Sequence, residues 1–155
     1  MIKRFFDFSF AVLLLIVFSV PLFIIWIIAC FDTKSNGIFM QVRIGRFREE
    51  FYLYKIKTML DKDRKFTRYG KYLRKFKFDE IPQLFNVLRG DMSFVGPRPD
   101  VKGYADKLEG ESALILNLRP GITCAASLKY FDEEDQLKKE EDPLLYNNKV
   151  IYPDK

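Results

Sequence analysis

Asp79 and Glu80 stand side by side in KFDEIPQLFNV, residues 77–87, with Lys75 and Lys77 behind them and Pro82 just ahead. Ile81, Leu84, Phe85 and Leu88 follow a helical period, which predicts a helix opening at the acids. Pro82 suits the first turn, where backbone N–H groups have no intrahelical partner. The free amides and dipole at such an end favour a charged carboxylate and lower its pKa. An ionised Asp79 could attack phosphorus. Neighbouring side chains on a helix point about 100° apart, which leaves Glu80 able to hold a metal. Helix capping by two acids is the plainer alternative, and the pair by itself does not choose between them.

Arginines downstream supply the opposite charge. LRGDMSFVGPRP, residues 88–99, carries Arg89 and then Arg98 between Pro97 and Pro99. The prolines fix their own φ and bias Gly96 and Arg98 toward extended backbone. A guanidinium held this way suits a phosphate or diphosphate, although a rigid turn with a solvent-facing arginine has the same sequence. LRPGIT, residues 118–123, repeats the device with Arg119, so Arg98 and Arg119 are candidates for one anionic pocket. Arg43, Lys55 and Lys57 are further candidates for phosphate or headgroup contacts.

What is missing narrows the chemistry. The 155 residues contain no His, which excludes a histidine-based triad and a classical zinc finger. Cys30 and Cys124 form neither a disulfide framework nor a metal-binding spacing. The net charge of +5 is uneven: residues 43–77 hold 13 Lys/Arg against 4 Asp/Glu, and residues 128–155 hold 5 against 8. A basic middle favours an anionic partner: lipid headgroups, a phosphorylated substrate or nucleic acid.

The elements that must position these groups begin with FSFAVLLLIVFSVPLFIIWIIACF, residues 8–31, a run of 24 residues without a charge. As a straight helix it extends about 36 Å, enough to cross a bilayer. It is too long for a signal-peptide core and no cleavage site follows it. Pro21, near its middle, predicts a break, and Ser19 could bond back to a carbonyl and help open it. Lys3 and Arg4 precede the run and Lys34, Arg43, Arg46 and Arg48 follow it, and positive flanks prefer the cytoplasm. Ser19 and Pro21 are therefore candidate hinge residues of a helix that enters and returns through one face; a single pass with a tolerated proline fits the residues equally well. Asp7 is expected at the interface, paired with a basic residue. The membrane segment argues against a nucleic-acid partner.

Beyond a polar loop at 32–37, residues 38–45 read as a short strand and 50–59 as a strand or an interface-hugging segment. Residues 70–77 read as an amphipathic helix lying among lipid headgroups, with aromatics inward and Lys/Arg outward. FDEEDQLKKEEDP, residues 131–143, reads as a charged surface helix and loop. No heptad or interface stripe sets an oligomeric state, and a homodimer stays open.

In order and spacing the whole chain resembles the monotopic phosphoglycosyl transferases, or bacterial sugar transferases. The blocks that carry the resemblance are KRFFDF at 3–8 with the apolar run after it, RIGRFREEFYLYKIKTM at 43–59, KFDEIPQLFNVLRGDMSFVGPRP at 77–99, LRPGIT at 118–123 and VIYPDK at 150–155. The resemblance implies an α+β monotopic membrane protein. A re-entrant helix at 1–31, broken at Ser19 and Pro21, would carry a small cytoplasmic, membrane-associated catalytic domain at 32–155 with amphipathic interfacial helices. It implies transfer of a phosphosugar from a UDP-sugar to polyprenol (undecaprenyl) phosphate, with release of UMP. This is the first membrane step of glycoconjugate assembly, on the cytoplasmic face of the bacterial inner membrane. Asp79 would be the nucleophile and carry a covalent phosphosugar, and Glu80 with Asp79 would position Mg²⁺. Three departures stand out. Val20 separates Ser19 from Pro21, where the family has adjacent Ser-Pro. Cys124 stands where the family often has Gly. The family usually continues for a short segment past Lys155, which implies a truncated end or a domain that closes differently.

Overall fold

The computed structural model describes residues 2–62, 65–130, 136–137 and 142–151. Helix α1 (Ile2–Thr33) is followed by strands β1 (Ile38–Ile44) and β2 (Glu50–Ile56), helix α2 (Arg68–Lys75), a 3-10 turn at Phe78–Glu80 and helix α3 (Gln83–Arg89). Strand β3 (Ser93–Val95), 3-10 turns at Ala105–Lys107 and Gly110–Asn117, strand β4 (Gly121–Thr123), helices α4 (Ala125–Lys129) and α5 (Pro143–Tyr146) and a π-helical turn at Asn147–Ile151 follow in the mixed helix-and-strand fold. Most of the acidic stretch 131–143 and the last four residues of VIYPDK lie outside the described residues.

Helix α1 is long and apolar enough to cross a membrane. Pro21 does not end it: helical structure runs through the proline, and the Ser19 hydroxyl donates to the Ile16 carbonyl at 2.8 Å. Pro21 has no N–H to offer the preceding turn, so one hydrogen bond is missing where the helix passes it. Of its residues only Asp7, Ala11, Ala29 and Thr33 are buried. Ala11 joins Leu53, Val87 and Met92 in one core cluster, and Ala29 joins Ile56 and Leu73 in another. Both ends of α1 therefore rest on the body of the protein, while Leu13, Ile16, Val17 and Val20 between them are exposed. Asp7 is buried against the body of the protein and has the expected basic neighbour. It accepts from the Ser93 hydroxyl at 2.9 Å and the Phe94 N–H at 3.3 Å, with Lys3 at 3.7 Å.

Strands β1 and β2 pair antiparallel, from Ile38 opposite Ile56 to Ile44 opposite Glu50. The two-residue period places Gln41 and Arg43 of β1 on the same face as Leu53 and Lys55 of β2. Leu53 packs into the core beneath α3, which brings that face toward the acids. Asn86 of α3, fully buried, serves the free edge of β2: its side-chain amide donates to the Tyr52 carbonyl at 2.7 Å and accepts from the Tyr54 N–H at 3.2 Å. Gly90 ends α3 with φ +94, and its N–H returns to the Asn86 and Val87 carbonyls. Helix α2 begins two residues earlier than the pattern predicts, because the Thr67 hydroxyl accepts from the Gly70 N–H at 2.8 Å and caps it.

Strands β3 and β4 are parallel, with Ser93 opposite Gly121 and Val95 opposite Thr123. This pairing sets VGPRP directly beside RPGIT, and the Gly121 N–H donates to the Pro97 carbonyl at 2.8 Å. Asn86→Ala would strand the Tyr52 carbonyl and Tyr54 N–H inside the protein. It is expected to cost roughly 2–4 kcal/mol, read as a lowered denaturation midpoint in detergent or nanodiscs.

Candidate active site

The acids sit one turn ahead of α3. Lys77 takes a left-handed conformation, φ +58, and turns the chain sharply out of α2 into the Phe78–Glu80 turn. Pro82 then leads directly into α3. Asp79 is only 3% exposed, and its Oδ1 has no hydrogen-bond partner among the described residues. Glu80 is bound by Lys55 of β2 at 2.8 Å. The strand face described above thus presents Lys55 to Glu80 and Arg43 to the same neighbourhood.

The pKa pattern departs from the sequence expectation. Burial and then the adjacent Glu80 charge push the Asp79 carboxyl above its usual value, with Lys55, Arg74 and Lys77 only partly offsetting them. The helix end was expected to lower it, but an acid withdrawn from water beside a second acid loses more than the dipole returns. For Glu80 burial also raises, yet the charge and hydrogen bond of Lys55, aided by Lys77 and Arg98, win and hold its carboxyl below the usual value. The Arg43 guanidinium is pulled down by burial and by the neighbouring Arg98 charge, against Asp100 and Glu80. Arg43 donates to the Pro99 carbonyl at 3.1 Å and to the Gln41 side chain at 2.8 Å, and its Nε is buried with no partner among the described residues. The charges of Arg43 and Arg98 act on Glu80, while Arg43 Nε and, on the residue beside Glu80, Asp79 Oδ1 are buried with no hydrogen-bond partner among the described residues, so the site has capacity left for an anion and a cation.

Asp79, Glu80, Lys55, Arg43 and Arg98 are thus drawn together. Arg119, Arg89, Lys57, Ser19 and Pro21 make other contacts. Arg119 donates through Nε to the Gly90 carbonyl at 2.8 Å, clamping the end of α3. Arg89 donates to the Tyr54 hydroxyl at 3.0 Å and lies 3.5 Å from Asp91. Lys57 pairs with Asp61 at 2.6 Å. Ser19 and Pro21 lie in the exposed middle of α1. The sequence reading singled out neither Asn86 nor the role of Arg4, which donates to the Val87 carbonyl and, at 2.7 Å, to the Leu88 carbonyl. The strand period linking Lys55 to Arg43 was the available sign that those two act together.

A family model described as "Bacterial sugar transferase" matches residues 1–151. The chain belongs to the bacterial sugar transferase family. Among its relatives is the UDP-N-acetylgalactosamine-undecaprenyl-phosphate N-acetylgalactosaminephosphotransferase of Aeromonas hydrophila, 34% identical over 137 residues, covering 79% of this chain and 32% of that protein. The undecaprenyl-phosphate galactose phosphotransferase of Salmonella typhimurium is 31% identical over 151 residues, 79% of this chain and 31% of its own. The undecaprenyl-phosphate glucose phosphotransferase of Komagataeibacter xylinus is 38% identical over 110 residues, 63% of this chain and 21% of its own. This bacterial sugar transferase therefore spans a third or less of the length of these three relatives.

The raised pKa of Asp79 has a consequence for stability. The folded protein binds that proton more tightly than the unfolded chain does. This stabilisation is complete below the ordinary carboxylate value of 3.8 and is lost as pH rises through the folded pKa. Asp79→Asn removes the buried charge. It is expected to melt at a higher temperature than the parent near neutral pH, with the difference shrinking as the solution is acidified.

Proposed function

We propose that this protein transfers a phosphosugar from a UDP-sugar to polyprenol phosphate, such as undecaprenyl phosphate, at a membrane. The observation that carries this is the buried Asp79, its Oδ1 unpartnered, beside a Lys55-bound Glu80 and the Arg43–Arg98 pair. In the first step an Asp79 carboxylate oxygen bonds to the sugar-bearing phosphorus of the donor. The bond from that phosphorus to the bridging oxygen breaks, and UMP leaves with the electron pair. In the second step a phosphate oxygen of the lipid attacks the same phosphorus and frees the carboxylate. Arg98 and Arg43 balance the charge of the diphosphate, and Lys55 keeps Glu80 ionised. Such chemistry requires no histidine.

Mg²⁺ fits this donor set. Among the described residues no group of three or more His, Cys, Asp or Glu gathers. Magnesium, however, commonly takes one or two carboxylates and completes its shell with water and substrate phosphates. Asp79 Oδ1 and the Glu80 carboxylate would hold it, and it would offset the negative charge of the diphosphate.

The same proposal makes α1 re-entrant, with the catalytic part on the cytoplasmic face of the inner membrane. Ala11 and Ala29 are separated by about 27 Å along a straight helix, yet they join clusters containing Leu53 and Ile56, three residues apart on β2. A bend near Pro21 reconciles the two distances. The three relatives are named for three different sugars, so the donor sugar is left unassigned.

With Mg²⁺, polyprenol phosphate and a panel of UDP-sugars, the parent is expected to release UMP and to form a phosphosugar adduct. Asp79→Asn is expected to lose both, by at least about a thousandfold in rate. An adduct retained in that variant defeats the assignment. For topology, single cysteines at residues 2 and 36, in a Cys30→Ser, Cys124→Ser background, are expected to react with an impermeant reagent from the same side. Labelling from opposite sides means a single pass.

A further inference from the structure

Three exposed rings stand in file between α2 and the acids. The Tyr72 and Phe76 ring centroids are 4.7 Å apart, one helical turn along the chain, and Phe78 follows Phe76 at 6.0 Å. Phe78 is the residue before Asp79, so the file runs from the exposed face of α2 to the turn that carries the acids. Other residues of α2 pack inward: Tyr69 and Leu73 share one cluster with Leu22, Ile25 and Ala29 of α1. The helix that bears the rings therefore rests on the long apolar helix.

Positive charge accompanies the rings. Residues 65–78 hold six Lys/Arg and no Asp/Glu, which calls for an anionic ligand. Arg74 already lies over the Phe66 ring at 4.6 Å and is set aside. Lys75 lies over the Phe76 ring at 5.7 Å, and neither it nor Lys77 forms an ion pair among the described residues. The Lys77 charge acts on both Asp79 and Glu80, so an anion held there adjoins the acids. A polyprenyl phosphate matches the whole file: one phosphate, then an apolar chain of repeated double bonds. Ring faces pack against flat alkene units by dispersion and ask for no polar partner. An unsaturated chain also has fewer free torsions than a saturated one and loses less entropy along a fixed track. Ordinary acyl chains would be met as well by any apolar side chains and need no file that ends at the acid. We propose that Tyr72, Phe76 and Phe78 form the track for the first isoprene units of the polyprenyl acceptor, with its phosphate at Lys77 beside Asp79. This rests on the transferase reading above.

Tyr72 and Phe76 are exposed, so Tyr72→Leu/Phe76→Leu keeps an apolar face toward a bilayer and removes the ring faces without disturbing the core. The test uses the full chain in nanodiscs with Mg²⁺, a UDP-sugar that the parent turns over, and either undecaprenyl phosphate or its fully saturated counterpart. The parent is expected to have the lower KM for the unsaturated acceptor. In the double variant that KM is expected to rise about tenfold and the preference to vanish, with the donor KM unchanged. A parent without the preference, an acceptor KM unaltered in the variant, or an equal rise for both acceptors overturns the proposal, and the rings then only seat the protein on the bilayer. A rise in the donor KM also overturns it, and the rings then meet the nucleoside. If the parent releases no UMP from any donor, the transferase reading fails by itself. A diazirine-bearing undecaprenyl phosphate in the same nanodiscs then decides the track. Labelling within residues 68–78 that undecaprenyl phosphate suppresses and phosphatidic acid does not upholds it. No labelling there, or equal suppression by phosphatidic acid, overturns it.

Discussion

Two neighbouring carboxylates withdrawn from water repel each other, and the cations around them decide how much negative charge the site can keep. Here the deciding contact is Lys55 on Glu80. It draws the stabilisation toward one acid and leaves the other, Asp79, buried and incompletely satisfied. The arrangement divides two chemically similar side chains into a paired anion and one that holds its proton more tightly. Much of the architecture can be understood as holding that contact. Strand β2 carries the lysine, the 3-10 turn after Lys77 carries the glutamate, and Asn86 joins the strand edge to the helix that follows the turn.

The arginines divide their work by backbone setting. Arg98, between two prolines in a strand exit, stays near the acids. Arg119, also followed by a proline, lies two residues ahead of the neighbouring parallel strand β4 but turns to the Gly90 carbonyl. That carbonyl closes α3, so Arg119 serves the site by holding the helix behind the acids. Arg43 does both tasks, since it ties the Pro99 carbonyl in place and keeps its Nε toward the interior.

The sequence was informative wherever one local period controlled the outcome. The helix at 83–89 and the position of the acids just before it follow from spacing, and the stretch read as a strand at 38–45 forms β1, whereas 50–59, which fits a strand or an interface-hugging segment equally, supplies β2. The protonation tendency of Asp79 did not, because it depends on how deeply tertiary packing buries the turn. The destination of Arg119 was hidden for a similar reason: its acceptor is a backbone carbonyl distant in sequence, and carbonyls leave no mark in residue type. The 3-10 turn at Gly110–Asn117 has neither a two-residue nor a 3.6-residue pattern to announce it.

Arg4 lies near the start of the apolar helix and holds the last carbonyls of α3, while the acids lie just ahead of the opposite end of α3. Seven residues of helix, about 10 Å, separate the two points. Asp79 is therefore mounted on a short stiff strut whose foot is the first turn of the long apolar helix. Where a bilayer holds that helix, a lipid thickness that drew its first turn deeper or let it rise would carry the Asp79 carboxyl with it.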